Sequence, residues 1–235
     1  MFFIVIVYQK ASGNSLSIVL KGVITVTEKD KKNLLIEIGN AITHGIGTGL
    51  AIAGLVFLII RAAHTGSPMR VVTFTIYGSV LVLFYLSSTL FHALIYTRAR
   101  HVFQVFDHCM IYILIAATYT PYCLVAIKGW VGWTMFGVIW GLAVLGVIYK
   151  SIWLRYKSHL STAIYVLMGW LCIFAFFPLW NALGPVGFGL LLAGGITFTI
   201  GALLYSKPTA YTHLIWHFFV LLGTAFMYFS ILFFV

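Results

Sequence analysis

The chain has 235 residues, of which 62% are hydrophobic and only 8% are charged, and its mean hydropathy is +1.07. A water-soluble domain of this size needs far more charge to cover its surface, so the composition excludes a soluble enzyme or binding module. The net charge of +10 does not indicate nucleic-acid binding, because the lysines and arginines lie between apolar segments, as in membrane proteins. We therefore expect one integral membrane domain whose partners are membrane lipids and not nucleic acid.

The first 35 residues differ from the rest and are predicted to form a cytoplasmic or interfacial tail. The apolar run MFFIVIV is too short to span a bilayer, and it lacks the basic leader and small-residue cleavage site of a secretory signal. Thr27 and Asp30 resemble a capping pair that opens a helix continuing into NLLIEIGN. Residues 36–235 follow as a single predicted membrane domain.

Seven apolar segments make up this domain, each close to the length of about 20 residues that a helix needs to cross a bilayer. Helices are expected because an open strand would leave backbone groups without partners in lipid. The predicted fold is therefore an all-α, integral membrane seven-helix bundle with short polar connections. The predicted segments are 36–61, 70–97, 103–127, 130–149, 159–180, 184–206 and 209–234.

The basic residues are distributed unequally over alternate loops, which predicts the orientation of the bundle. The N-terminal tail and the second, fourth and sixth loops carry eleven lysines and arginines, among them Lys150 in the fourth loop. The loops on the other side carry three, which are Arg61, Arg70 and Lys128. Because positive residues stay on the cytoplasmic side, the N-terminus is expected inside the cell and the C-terminus outside.

Ionisable side chains inside the apolar segments are costly, and several of them lie at one depth. His92 lies six residues before Arg98, and His213 lies six residues after Lys207. Asp107 lies seven residues after a basic residue of the second loop. With a rise of about 1.5 Å per residue, each group lies about 9–10 Å inward from a cytoplasmic loop. Three helices thus bring polar groups to the same level of the same leaflet.

The spacing of the histidines indicates a metal site. His213 and His217 are four residues apart, so their side chains lie on one helix face one turn apart. Such a pair binds zinc in H-E-x-x-H sites, and His92 completes a set of three histidines that leaves the fourth tetrahedral position to water. Asp107 is the candidate to hold that water or to act as general base. Ser88, four residues before His92, is a candidate hydrogen-bond partner at the site.

The other polar residues have different interpretations, and an HxxxH pair alone also arises by chance. His108 points away from Asp107 and is expected to pack against or cap its helix. Glu37, Asn40 and His44 share one stripe of the first helix, for which an interhelical hydrogen-bond network is favoured over metal ligation. Three further histidines are expected in loops at the headgroup level: His64, His101 and His159.

Four polar motifs occur in chain order on four of the predicted helices. They are Glu37-x-x-Asn40-x-x-Thr43-His44, Ser88-x-x-x-His92, Asp107 and His213-x-x-x-His217. Together they resemble the motifs of the hemolysin III family, part of the progestin and adipoQ receptor superfamily that includes the adiponectin receptors. The resemblance covers residues 36–235 and implies a seven-helix bundle in the cell membrane with its N-terminus inside. It also implies zinc on the three histidines named above, with Asp107 facing the zinc-bound water and Ser88 beside it.

The resemblance implies two main classes of function. In related receptors and in the alkaline ceramidases such a site is linked to hydrolysis of lipid amide bonds, so the first hypothesis is a zinc-dependent hydrolase of a lipid amide or ester. The second is a non-enzymatic membrane effector, a cytolysin or a regulator of membrane fluidity, in which zinc is structural. A signalling receptor ranks last, because the loops are too short to build a sizeable ligand-binding domain. The short N-terminal segment points to the bacterial-type branch of the superfamily.

Overall fold

A computed structural model describes residues 7–10, 16–19, 28–152, 159–207, 209 and 211–235. Within these residues the chain forms a short β-hairpin followed by a bundle of α-helices. The strands are β1 (Val7–Lys10) and β2 (Leu16–Val19). The helices are α1 (Glu28–Ala63), α2 (Pro68–Ala93), α3 (Arg100–Pro121), α4 (Gly129–Ile152), α5 (His159–Gly169), α6 (Phe176–Tyr205) and α7 (Thr212–Phe234). A π-helical turn (Tyr122–Ile127) extends α3, and a 3₁₀ turn (Trp170–Ala175) joins α5 to α6.

The N-terminal segment contains more regular structure than the sequence predicts. β1 pairs antiparallel with β2, with Val7 opposite Val19. α1 begins at Glu28, which agrees with the predicted capping pair, although Thr27 itself lies outside the described residues. The membrane domain therefore begins on a helix that is already formed before residue 36, the predicted start of the first apolar segment.

Six stretches of the described chain are long and apolar enough to cross a bilayer. Their outer surfaces carry large apolar side chains, since Leu50 is 65% exposed, Leu145 63% and Leu203 64%. Such a surface is stable against lipid tails but not against water. The predicted all-α integral membrane class is therefore confirmed. The six stretches are Asp30–Ala63, Pro68–Ala93, Arg100–Ile127, Gly129–Ile152, Ser161–Tyr205 and Thr212–Phe234.

The fifth stretch, Ser161–Tyr205, is 45 residues long and folds back on itself. Gly184 interrupts the helix with φ 64° and ψ −179°, a conformation that suits glycine, and Pro185 follows it. The indole Nε1 of Trp170 donates a hydrogen bond to Thr199 Oγ1 at 3.0 Å. These two residues are 29 positions apart, a separation that would span about 43 Å along one straight helix. The two halves of the stretch therefore lie side by side, on either side of a turn at Gly184.

Helices α1, α2 and α7 pack closely, and this packing positions the polar side chains. α1 contacts both α2 and α7. The ring of Tyr85 on α2 lies so close to Gly47 on α1 that an added Cβ would be 2.7 Å from it, so any larger residue would push the helices apart. The hydroxyl of Tyr85 is hydrogen-bonded to Thr224 of α7 at 2.5 Å. Tyr85 lies about two turns from His92 on α2, and Thr224 lies about two turns from His217 on α7. The bond between Tyr85 and Thr224 therefore holds the two histidines at the same level along the bundle.

α4 is longer than the predicted segment 130–149, and this changes the place of Lys150. The helix runs to Ile152, so the prediction that Lys150 lies in the fourth loop is wrong. The side chain is 5% exposed, and its Nζ donates to Ser161 Oγ of α5 at 3.4 Å. A cation that counts as a loop residue by its sequence position is therefore buried between two helices.

Candidate metal centre

The structure brings His92 of α2 together with His213 and His217 of α7. One ligand nitrogen of each histidine lies within 4.8 Å of the other two. The Nε2 atoms of His92 and His213 are 3.2 Å apart. His92 is 3% exposed and His217 1%, and His213 is half-buried. Among the described residues these three side chains form a group that is positioned to hold a metal ion.

One nitrogen–nitrogen distance in this histidine triad matches the separation expected in a tetrahedral metal site. Metal–nitrogen bonds of about 2.0–2.1 Å at tetrahedral angles separate the ligand nitrogens by about 3.3 Å. The distance of 3.2 Å between the Nε2 atoms of His92 and His213 is close to this value. Three imidazoles suit zinc, copper, iron or nickel rather than calcium or magnesium, which prefer oxygen. The donor set therefore fits the transition-metal site that the sequence predicts.

Glu37 of α1 fixes the orientation of His92. Its Oε2 accepts a hydrogen bond from His92 Nδ1 at 2.5 Å, and its Oε1 accepts one from Arg100 Nη2 at 2.9 Å. Because an ionised carboxylate can only accept, Nδ1 of His92 carries the proton and Nε2 keeps the lone pair that a metal needs. Histidine ligands in metal sites are commonly held in this way by a carboxylate. Sequence reasoning did not connect Glu37 with His92.

Thr43, also on α1, orients His217 in the same manner. Its Oγ1 lies 2.9 Å from the carbonyl oxygens of Gly39 and Asn40 and 3.2 Å from His217 Nδ1. The hydroxyl has one proton, which it donates to a carbonyl of its own helix, so the hydroxyl oxygen accepts from Nδ1–H of His217. Nε2 of His217 is then the nitrogen available to a metal. The sequence included Thr43 in a motif but gave it no role.

Three polar side chains next to the histidine triad have atoms without hydrogen-bond partners. The ring of His44 stacks on His217, with centroids 3.6 Å apart and planes inclined by 14°. Both ring nitrogens of His44, Oδ1 of Asn40 and Oγ of Ser88 are buried without a partner among the described atoms. Buried polar atoms are normally paired, so this wall is suited to water or to a polar ligand. The interhelical network predicted for this stripe is made by Glu37 rather than by Asn40 and His44.

Asp107 and His108 lie about two turns into α3, and both line the cavity that holds the triad. Asp107 lies in the wall of the same cavity, but it contributes no atom to the group of three histidines. Its Oδ2 is 3.6 Å from His108 Nδ1, and that nitrogen also donates to the carbonyl of Gln104 at 2.8 Å. The bond to Gln104 is a local helix contact, as expected of His108, but the prediction that His108 points away from Asp107 is wrong, because the two side chains form an ion pair and line the same cavity. His64 is exposed in a loop, as predicted, but the loop positions predicted for His101 and His159 are wrong, because His101 lies in the first turn of α3 and His159 is the first residue of α5.

A cavity of about 800 Å³ extends from the triad into the bundle. Much of its lining is apolar and includes Leu114, Leu191, Val220 and Met227. The volume is at the upper end of the range of about 300–1,000 Å³ found for small-molecule sites. The cavity thus combines one polar end with an apolar interior, which suits a molecule with a polar head and a hydrocarbon chain.

Comparison with known proteins identifies the family. The family model described as "Haemolysin-III related" matches residues 33–228. The chain belongs to the haemolysin-III family. Its relatives include "Hemolysin-3" of Bacillus cereus, 46% identical over 200 residues that cover 85% of this chain and 91% of that protein. The "Hemolysin-3 homolog" of Bacillus subtilis is 46% identical over 84% of this chain and 93% of that protein.

A more distant relative supports the wider superfamily that the motifs resemble. "Monocyte to macrophage differentiation factor" of Homo sapiens is 27% identical over 167 residues, which cover 68% of this chain and 69% of that protein. No solved structure matches the chain. Family membership and the membrane-spanning helices together make this a multi-pass protein of the cell membrane.

Proposed function

We propose that the chain is an intramembrane zinc-dependent hydrolase that cleaves an amide or ester bond of a lipid. The observation that carries this proposal is the histidine triad, whose ligand nitrogens lie within 4.8 Å of one another in the wall of a lipid-sized cavity. Catalytic zinc has three protein ligands and an open position, whereas structural zinc is closed by four. When bound, zinc polarises the scissile carbonyl and activates water.

The remaining polar residues of the cavity supply proton transfer and binding contacts. In this proposal Asp107 accepts a proton from the attacking water and returns it to the leaving amine or alcohol. Ser88 hydrogen-bonds to the water or to the substrate through its hydroxyl, which has no other partner among the described atoms. The apolar interior receives the acyl chain and keeps bulk water away. Glu37 and Thr43 act indirectly, through the histidines that they orient.

The proposed topology has seven membrane crossings, with the N-terminus in the cytoplasm and the C-terminus outside. Its support is the turn at Gly184, which divides Ser161–Tyr205 into two antiparallel arms, and the excess of basic residues on one set of loops. Single cysteines at Thr65 and at Lys207, introduced after replacement of the three native cysteines by alanine, test it with a membrane-impermeant thiol reagent on intact cells. Labelling is expected at position 65 and not at position 207, and the reverse pattern would contradict the orientation.

The alternative is a non-enzymatic membrane effector in which the metal has a structural role. The names of the two Bacillus relatives favour it, since both refer to haemolysis. A cytolysin releases dye from liposomes in proportion to protein dose, and this release survives substitution of the triad. Leakage that is absent in wild type, or that disappears together with lipid hydrolysis, would exclude this alternative.

Turnover by purified protein in nanodiscs tests the hydrolase. We expect the zinc-loaded wild type to hydrolyse at least one member of a panel of long-chain amides and esters, ceramide included. Asp107→Asn is expected to keep its zinc and to lose about 10²–10⁴-fold in rate, the usual contribution of a general base. His101→Gln, an exposed change on the same helix, is the matched control and should keep the wild-type rate. Zinc-loaded wild type that hydrolyses none of the panel would contradict the proposal.

A further inference from the structure

Lys150 is a buried ammonium group at the edge of the same cavity. It lies near the end of α4 with 5% of its surface exposed, and both Lys150 and its hydrogen-bond partner Ser161 line the cavity that holds the triad. The Nζ–Oγ distance of 3.4 Å makes this a long hydrogen bond. A lysine ammonium has three donors, so the one long bond to a neutral hydroxyl that the described residues provide leaves most of its capacity unused among them.

The described structure provides no carboxylate for this cation. Both oxygens of Glu37 are occupied, one by His92 and the other by Arg100. The ion pair found for Asp107 is with His108. No acidic side chain in the described part of the chain lies within 4 Å of Lys150 Nζ. Burial of an unpaired charge is costly, and buried charges in proteins are normally paired with a charge of the opposite sign.

The surroundings of Lys150 suit an oxyanion attached to a hydrocarbon chain. Besides Ser161, the hydroxyl-bearing residues Thr162 and Tyr165 line the cavity on this side, although the Tyr165 hydroxyl already donates to the carbonyl of His108 at 3.2 Å. The wall next to them becomes apolar at Val166 and Leu114, which also line the cavity. Donors and a cation therefore lie together at one place, beside a surface that a hydrocarbon chain can cover.

We propose that Lys150 and Ser161 form an anion-binding subsite that takes the acidic head, a carboxylate or a phosphate, of an amphiphile whose chain lies in the cavity. The subsite is separate from the triad, whose residues come from α2 and α7, whereas Lys150 comes from α4 and Ser161 from α5. The proposed subsite rests on the proposed function in one respect, namely that the cavity receives a lipid. Binding to the subsite can be measured without hydrolysis of the ligand.

Binding of matched amphiphiles to the purified full chain tests the subsite. The protein is placed in nanodiscs of phosphatidylcholine alone, and oleic acid, oleyl phosphate and oleyl alcohol are titrated by calorimetry. We expect the two acids to bind about tenfold or more tightly than the alcohol, because a hydrogen bond to a charged group is stronger than a neutral one. Inorganic phosphate is the competitor that distinguishes a free anion from a lipid head. Displacement of oleyl phosphate by millimolar phosphate would assign the subsite to the free ion and contradict the proposed amphiphile.

Substitution of the lysine shows whether it causes the preference. Lys150→Met is expected to abolish the preference for acids over the alcohol, and Lys150→Arg to retain it. Lys32→Met removes an exposed positive charge on the same side of the bundle and should leave the preference unchanged. If wild type shows no preference, or Lys150→Met keeps it, the proposal is wrong. If Lys150→Met does not fold, the comparison of wild type with Lys150→Ala and Lys150→Arg at the same ligands replaces it.

The triad is the competing site for an acid, because a carboxylate or phosphate can also bind a metal. We therefore expect His92→Ala to keep the preference for acids. Loss of the preference in His92→Ala, with retention in Lys150→Met, would place the anion at the triad and overturn the subsite. If the preference for acids depends on Lys150 but the protein hydrolyses none of the lipids tested, the hydrolase proposal is wrong and the subsite is still supported.

Discussion

Around the histidines, Glu37 and Thr43 bond to other side chains, whereas at the opposite end of the bundle, near Gly184, two polar side chains of α7 bond to the backbone of neighbouring helices. At the opposite end Tyr228 donates to the carbonyl of Gly54 at 3.0 Å, and Ser230 donates to the carbonyl of Gly187 at 2.9 Å. Each of these contacts joins α7 to a neighbouring helix and pairs a side-chain hydroxyl with a backbone carbonyl. Hydrogen bonds of this kind between membrane helices hold the bundle together.

The polar atoms at the histidine end are arranged differently. Glu37 and Thr43 each bond the Nδ1 of a histidine and so turn the Nε2 of that histidine inward. Neighbouring atoms of Asn40, His44 and Ser88 have no partner among the described residues. Unpartnered buried hydroxyls also occur away from the triad in the described part of the chain, on Tyr77, Tyr112 and Tyr122, but the atoms of Asn40, His44 and Ser88 lie in the cavity wall beside the three candidate metal ligands. The contacts of Tyr228 and Ser230 therefore have a structural role, whereas the histidine end has the properties of a binding site.

The largest effect that sharpens this comparison is expected from the triad itself. His217→Ala should remove stoichiometric metal from the purified protein, because two imidazoles are a poor site for a tetrahedral ion. Metal analysis after gel filtration measures this. Ser230→Ala, on the same helix at the opposite end, should keep the metal content of wild type. Loss of metal in both variants would mean that the two ends are not functionally distinct.

A smaller effect is expected from the carboxylate that orients His92. Glu37→Ala should weaken metal affinity by about 10–100-fold, the usual cost of removing a residue that orients a metal ligand. Glu37→Gln should recover part of this loss, because its amide oxygen still accepts from Nδ1 of His92. Competition with a zinc chelator gives the affinity, and the visible spectrum of the cobalt-substituted protein reports the ligand geometry. Unchanged affinity and spectrum in Glu37→Ala would show that the contact is only structural.

Thr43→Val should have a similar but weaker effect on His217, about tenfold in metal affinity, the low end of the same range. The hydroxyl is a neutral acceptor, and its hydrogen bond to Nδ1 is longer, at 3.2 Å. Thr43→Ser keeps the hydroxyl and serves as the matched control. Equal metal affinities of the Thr43→Val and Thr43→Ser variants would show that the Thr43 hydroxyl does not contribute to metal binding.

The smallest effect on the metal is expected at the opposite end. Tyr228→Phe should leave metal affinity unchanged and lower the free energy of unfolding by about 0.5–1.5 kcal/mol, the net value of one hydrogen bond. Thermal unfolding in detergent, followed by circular dichroism, measures the stability. A decrease in metal affinity with no loss of stability would reverse the roles assigned to the two ends.

Much of the helical framework could be predicted from the sequence. The length of each apolar run limits where a helix can begin and end, and the predicted boundary between 159–180 and 184–206 falls at the turn around Gly184. The level of the histidines could also be predicted, because rise per residue converts a distance along the sequence into a depth. His92, Asp107 and His213 do lie in the wall of one cavity.

The contacts of these residues could not be predicted in the same way. Depth does not determine the angle at which a helix faces its neighbour, so the bonds from Glu37 to His92 and from Thr43 to His217 depend on how α1 packs. The position of Lys150 could not be predicted for a related reason. A lysine at the boundary between an apolar segment and a loop can lie either in the loop or in the last helical turn, and the sequence does not distinguish the two. Both kinds of information come from tertiary packing rather than from periodicity.

The metal content of the purified protein is the direct test of the proposed zinc site. Wild type, extracted without chelator and analysed by mass spectrometry of the metal, is expected to carry about one zinc ion per chain, bound by the three histidines. His92→Ala, His213→Ala and His217→Ala are each expected to carry far less, while His64→Ala, an exposed change, keeps the wild-type value. Wild type without stoichiometric metal, or triad variants that retain it, would contradict the account.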